Sequence, residues 1–166
     1  YALAVRKDFA TEHSLEKISD LKNIENKLVA GFTLEFNDRE DGNRGLKSLY
    51  GLNFNIKTME PALRYTAISN SSIDVTDVYS TDSQIITNKL KVLEDDKNLF
   101  PPYQAAPLLR IDTIDKYPEV SEALEKLAGK ISSEEMTKMN YEVDVKERSA
   151  SEVAREFLLE NGLISE

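Results

Sequence analysis

The stretch LVAGFTLEFNDREDG, residues 28–42, decides the reading of the whole chain. Its apolar run from Leu28 to Leu34 has the length of a strand, and it stops abruptly at two carboxylates, Glu35 and Asp41, that bracket Arg39. Directly after it, GLKSLYG has helical spacing and ends at Gly51, the residue type best suited to a left-handed helix cap. A strand that feeds a helix through a tight polar turn is the repeating unit of an α/β fold.

Working outward, apolar β-prone runs recur at YALAVR, NFNI, IDVTDVY, LKVLE and APLLRI. Helical segments lie between several of them. SLEKISDL opens at Ser14 and sets Leu15, Ile18 and Leu21 on one face, and PALRYTAIS places Pro61 in a first helical turn. This alternation predicts a mostly parallel sheet flanked by helices. From Ile111 onward almost everything reads as helix: EVSEALEKLAGK is amphipathic, and SSEEMTKMNYEVD and SASEVAREFLLENG each begin with a Ser-x-x-Glu capping box. LEDDKNLFPPYQAAP is the one irregular crossing, and we place a boundary there, with residues 1–104 as one lobe and 105–166 as a returning strand and C-terminal helices.

At 166 residues the chain is the size of one ordinary domain. A formal net charge of −9 and an isoelectric point near 4.8 argue against nucleic acid as a partner, because phosphate binding needs clustered Lys and Arg. No run approaches the roughly 20 apolar residues of a membrane span, and no basic-then-apolar signal segment opens the chain. The absence of cysteine removes disulfides, thiolate chemistry and cysteine metal sites. YALAVR is a strand-like start with no initiating Met, and we read it as a cut inside a larger protein at a domain crossover.

In an open parallel sheet, ligands sit beyond the carboxyl ends of the strands. Residues 35–42 fall at such an end, and so does Tyr79 after IDVTDV, with Thr81 close by. One mouth lined by Glu35, Phe36, Arg39 and Tyr79 is the candidate site. The plainer alternatives are an exposed E-x-x-x-R ion pair and a core tyrosine with its hydroxyl at the rim. Glu94, Asp95 and Asp96 lack the glycine and terminal Glu of a calcium loop, and DGNRG lacks the Lys of a phosphate loop. His13, the single histidine, has no nucleophile or orienting carboxylate nearby in sequence. We find no catalytic set and expect no metal, no cofactor and no enzymatic activity.

GFTLEFNDREDG, GLKSLYGLNF, IDVTDVYSTDS, VLEDDKNLFPPYQAAPLLR and MNYEVDVKERSASEVAREFLLENGL, taken in order, closely resemble the substrate-binding component of ABC importers for glycine betaine, carnitine, choline and related quaternary amines. The resemblance implies a type II periplasmic-binding-protein fold, with two lobes that trap the ligand between them. This chain matches the second lobe, entered at YALAVR, and the C-terminal segment that returns to pack on a first lobe absent from it. The same resemblance gives Arg39 the ligand's carboxylate, Glu35 a role in orienting Arg39 or meeting the ligand's cation, and Tyr79 and Tyr103 the aromatic walls around a trimethylammonium group, with Phe36 as a weaker wall candidate. It also implies an ABC permease with its ATPase as partner. The expected location is the outer face of the cytoplasmic membrane, through a lipid anchor or fusion to the permease.

GFTLEFNDREDG further resembles an ergothioneine-importing branch, whose ligand carries the same two chemical handles. The fold also serves as the effector-sensing part of transcription regulators, but a helix-turn-helix and a basic surface would then be expected. An enzyme would have to use Glu35 with Asp38 or Asp41, and an acid beside Arg39 is held ionised rather than poised near neutral pH.

Overall fold

The run ALAVR forms the first strand, β1 (Ala2–Arg6), and its first four residues are buried. Leu3 and Val5 face one apolar cluster, Ala2 and Ala4 the other. A strand covered on both faces must be apolar throughout, so β1 shows no polar alternation.

The computed structural model describes residues 1–165 of the chain. Four more strands, β2 (Val29–Thr33), β3 (Asn55–Met59), β4 (Val75–Val78) and β5 (Leu90–Val92), complete a sheet in the order β3-β2-β4-β1-β5. β2 pairs in parallel with β3 and β4, as the strand-turn-helix alternation requires. β1 is antiparallel to both of its neighbours, β4 and β5. Two of the four pairings are thus parallel and two antiparallel: four strands share one direction and β1 runs against them, a direction that the apolar pattern of YALAVR does not encode.

Short helices cover this sheet: α1 (Lys7–His13), α2 (Leu34–Asp38), α3 (Asn43–Gly45), α4 (Pro61–Ser69) and α5 (Gln84–Thr87). α3 passes into a π-helical turn, Leu46–Tyr50, that ends at Gly51 with φ 68°. SLEKISDL departs from the α-helical expectation and forms a 3₁₀ stretch, Ile18–Asn23. Leu15, Ile18 and Leu21 are all buried, and a spacing of three suits a helix with about three residues per turn. α1 was not expected, because KDFATEH buries only Ala10.

The larger apolar cluster centres on Phe32, Phe36, Leu46 and Leu52, and the smaller one on Ile68, Ile73 and Val78. Both belong to the first of two compact units, Tyr1–Pro102; the second begins at Tyr103. That second unit carries α6 (Ile111–Lys116), α7 (Glu119–Glu125), α8 (Ser133–Asp144) and α9 (Ala150–Glu160). Ser132 and Glu135 close the capping box of α8, and the Ser149 hydroxyl caps α9. Arg148 joins the two helices, reaching Glu142 at 3.2 Å and Glu156 at 2.8 Å. Residues 101–110 contain no regular structure, so the strand expected in APLLRI does not form among the described residues. A strand exists only against a hydrogen-bonding edge, and none pairs with this segment, which leaves Leu108 97% exposed.

Phe36 is fully buried among Phe32, Phe100 and Tyr1. Phe36→Ala is expected to cost about 3–5 kcal/mol of folding free energy. Chemical denaturation of the full-length protein checks this value.

Candidate functional site

The carboxyl ends of β2, β3 and β4 open along one edge of the sheet, where Thr33, Met59 and Val78 give way to turns. Because β1 runs the other way, its start lies at the same edge, with Ala2 opposite Val78. That pairing sets Tyr1 beside Tyr79: the rings are 5.0 Å apart at 31°, and the hydroxyls are 3.4 Å apart. Tyr1 was not among the residues named from the sequence. A parallel reading of β1 would have placed it at the opposite edge, and only the reversed direction reveals it.

The turn after β2 is built by Thr33 and Gly42. The Thr33 hydroxyl accepts from the Phe36 amide at 3.2 Å and so starts α2. Gly42 returns against that helix so closely that a Cβ there would lie 2.2 Å from the Phe36 carbonyl oxygen. Between them Arg39 is clamped by two acids. Its Nε and Nη2 donate to the two Asp41 oxygens at 2.7 and 2.9 Å, and its Nη1 donates to Glu35 at 3.1 Å. The ion pair foreseen in the E-x-x-x-R spacing is thus present, strengthened by a bidentate bond to Asp41.

The Arg39 guanidinium also sits 5.4 Å from the centre of the Tyr1 ring. Burial, together with hydrogen bonding to Tyr79 and Glu35, pushes the Tyr1 phenol above its ordinary value. The ring therefore stays neutral at physiological pH. Glu35, Arg39, Asp41, Tyr1 and Tyr79 form one constellation in which two carboxylates hold one guanidinium beside a pair of rings.

The other expected residues fall differently. Phe36 does not line the mouth: it faces the core, 5.3 Å from Tyr1, and backs that ring instead. An apolar ring one position after the exposed Glu35 points inward once the segment is helical. Tyr103 is 53% exposed and belongs to the second unit. The chain also exposes Leu34 and Leu63, at 65% and 59%. With Glu35 and Tyr79 they line an open depression of about 580 Å³ at the sheet edge. Behind it lies a buried ion pair that the sequence reading missed, Arg64 with Asp77 at 2.5 Å. Burial raises the Asp77 carboxyl, while Arg64 and the Thr33 donors oppose the rise.

The strand-end mouth thus sets two tyrosine rings beside a clamped arginine. Residues 1–160 match the family model described as the substrate-binding domain of ABC-type glycine betaine transport systems, and the chain belongs to that family. It is 44% identical over 163 residues to the carnitine transport binding protein OpuCC of Listeria monocytogenes, covering 97% of this chain and 53% of the relative. It is 40% identical over 164 residues to the ergothioneine transport permease/ergothioneine binding protein EgtU of Helicobacter pylori, covering 98% of this chain and 30% of that one. Among solved structures, a glycine betaine/carnitine/choline ABC transporter protein superposes with a TM-score of 0.89 at 38% identity, over 98% of this chain and 60% of its own. The chain thus spans about half the length of the first of these relatives, and less of the second.

Gly42→Ala is expected to destabilise the full-length protein by about 1–3 kcal/mol, because the new methyl meets a backbone carbonyl that cannot move without unwinding α2. Thermal unfolding measures the effect, and an unchanged midpoint would show that the turn is looser than its geometry.

Proposed function

We propose that this chain is the second lobe, with the C-terminal segment, of the solute-binding component of an ABC importer for a quaternary ammonium or betaine-type compound such as glycine betaine, carnitine or choline. The observation that carries the proposal is the meeting of Arg39, Tyr1 and Tyr79 at one edge of the sheet. A trimethylammonium group offers no hydrogen-bond donor, so ring faces and nearby carboxylates are what can recognise it. A planar guanidinium suits the carboxylate at the other end of a betaine. Glu35 and Asp41 hold that guanidinium in a fixed plane before any ligand arrives, which lowers the ordering cost of binding.

In this reading a first lobe supplies the remaining walls, and Tyr103 is a further wall candidate. The returning segment 101–110 finds its strand partner on that lobe. Closure is a hinge motion that ligand favours by touching both lobes. The closed form delivers its ligand to a permease driven by an ATPase, at the outer face of the cytoplasmic membrane, through a lipid anchor or as part of the permease chain. The protein turns nothing over.

A second reading, ergothioneine import, is favoured by the 40% identity to the Helicobacter pylori protein that bears that name. Ergothioneine presents the same trimethylammonium and carboxylate, so the constellation serves both.

Calorimetric titration of the full-length protein with glycine betaine, carnitine, choline and ergothioneine distinguishes these readings. Tight binding of a simple quaternary amine supports the first, tight binding of ergothioneine alone supports the second, and no binding of any of the four refutes both. Arg39→Ala and Tyr79→Ala are each expected to weaken binding more than tenfold, or about 1.4 kcal/mol. Affinity unchanged by both substitutions would remove these residues from the site.

A further inference from the structure

Arg64 extends from α4 and is only 2% exposed, an uncommon position for a guanidinium. Its Nη1 donates to Asp77 Oδ2 at 2.5 Å, and its Nη2 donates to the Tyr65 hydroxyl at 3.4 Å. Nε has no hydrogen-bond partner among the described residues. The remaining contacts are with two ring faces: the guanidinium carbon lies 5.1 Å from the centre of Tyr65 and 5.9 Å from the centre of Tyr79.

Asp77 has a second set of partners. Fully buried at the end of β4, it accepts from the Thr33 amide at 2.9 Å and from the Thr33 hydroxyl at 3.0 Å. Thr33 is the residue whose hydroxyl starts α2, the helix that leads into Arg39. A single carboxylate therefore ties together the two halves of the site. A buried ion pair is a poor device for stability alone, because well-packed apolar residues serve as well or better.

We propose that Arg64, locked by Asp77, is a positioning residue that sets the Tyr79 ring from the protein side, while the same carboxylate fixes through Thr33 the turn bearing Glu35 and Arg39. The pair thereby fixes the separation between the cation wall and the carboxylate clamp. This proposal rests on the ligand reading of Tyr79 and Arg39 given above. Lysine cannot replace Arg64 in the role: it keeps the charge beside Asp77 but has no flat face to lay along two rings.

The test uses the full-length protein and two variants. R64K retains a cation for Asp77, and R64Q/D77N replaces the ion pair with neutral hydrogen-bonding groups and leaves no buried charge unpaired, so it carries the test if R64K does not fold. Protein labelled with 3-fluorotyrosine is observed by fluorine NMR without ligand, the Tyr79 resonance being identified by its loss in Tyr79→Phe. Both variants are then titrated with glycine betaine, carnitine, choline and ergothioneine.

The expected result is a folded variant whose Tyr79 resonance is shifted or broadened and whose affinity for the best wild-type ligand falls about fivefold or more. An unchanged Tyr79 resonance, with or without a lower melting temperature, overturns the positioning role, because a purely structural pair would not move that signal selectively. A moved resonance with unchanged affinity overturns it as well. If the wild type binds none of the four compounds, the ligand reading fails, and the Tyr79 resonance alone decides whether Arg64 sets the ring.

Discussion

The antiparallel pairing of β1 with β4 is the constraint on which the site depends. In a wholly parallel sheet the carboxyl edge would receive only strand ends, and the start of β1 would lie far from them. The reversal places Ala2 against Val78 and so brings Tyr1 into contact with Tyr79. Two residues separated by most of the first unit become neighbouring ring faces, and the Arg39 turn of β2 closes against one of them. The core supports this arrangement directly, since Phe36 packs on Tyr1 from within.

Each layer of the rim is held by the layer beneath it. Thr33 starts the α2 turn, Gly42 lets the chain return against the Phe36 carbonyl, and two carboxylates clamp the guanidinium between them. An exposed ion pair of the Glu35–Arg39 kind contributes little stability by itself. Its value here is geometric, because the bidentate bond to Asp41 leaves the Arg39 plane little freedom. In the proposed ligand reading the same ion pairing preorganises Arg39 beside the aromatic pair.

Much of this was legible in the sequence because it is local. The capping box at Ser132, the cap at Ser149, the left-handed close at Gly51 and the proline at the start of α4 each announce themselves within a few residues. Glu35 and Arg39 were legible by spacing, and Tyr79 by its place after a strand. What failed was non-local or depended on a helical period. The direction of β1 is set by its neighbours and not by its own side chains. The 3₁₀ form of Ile18–Asn23 differs from an α-helix in a spacing that a short amphipathic segment hardly resolves. Phe36, the weaker wall candidate, stands in a stretch, residues 35–42, that reads as the turn beyond a strand, whereas the helical turn Leu34–Asp38 sends adjacent side chains to different faces and buries it. Arg64 and Asp77 are 13 residues apart, and nothing local signals that the fold buries them together.

A crystal structure of the full-length protein with glycine betaine, or whichever of the four compounds binds most tightly, would show directly where the ligand sits. The trimethylammonium group is expected within about 6 Å of the ring centres of Tyr1 and Tyr79. For a ligand with a carboxylate, one oxygen of that group is expected within hydrogen-bonding distance of Arg39. A ligand held away from this edge, or bound with its cation against Arg39 and its carboxylate against the tyrosines, would contradict the proposed site.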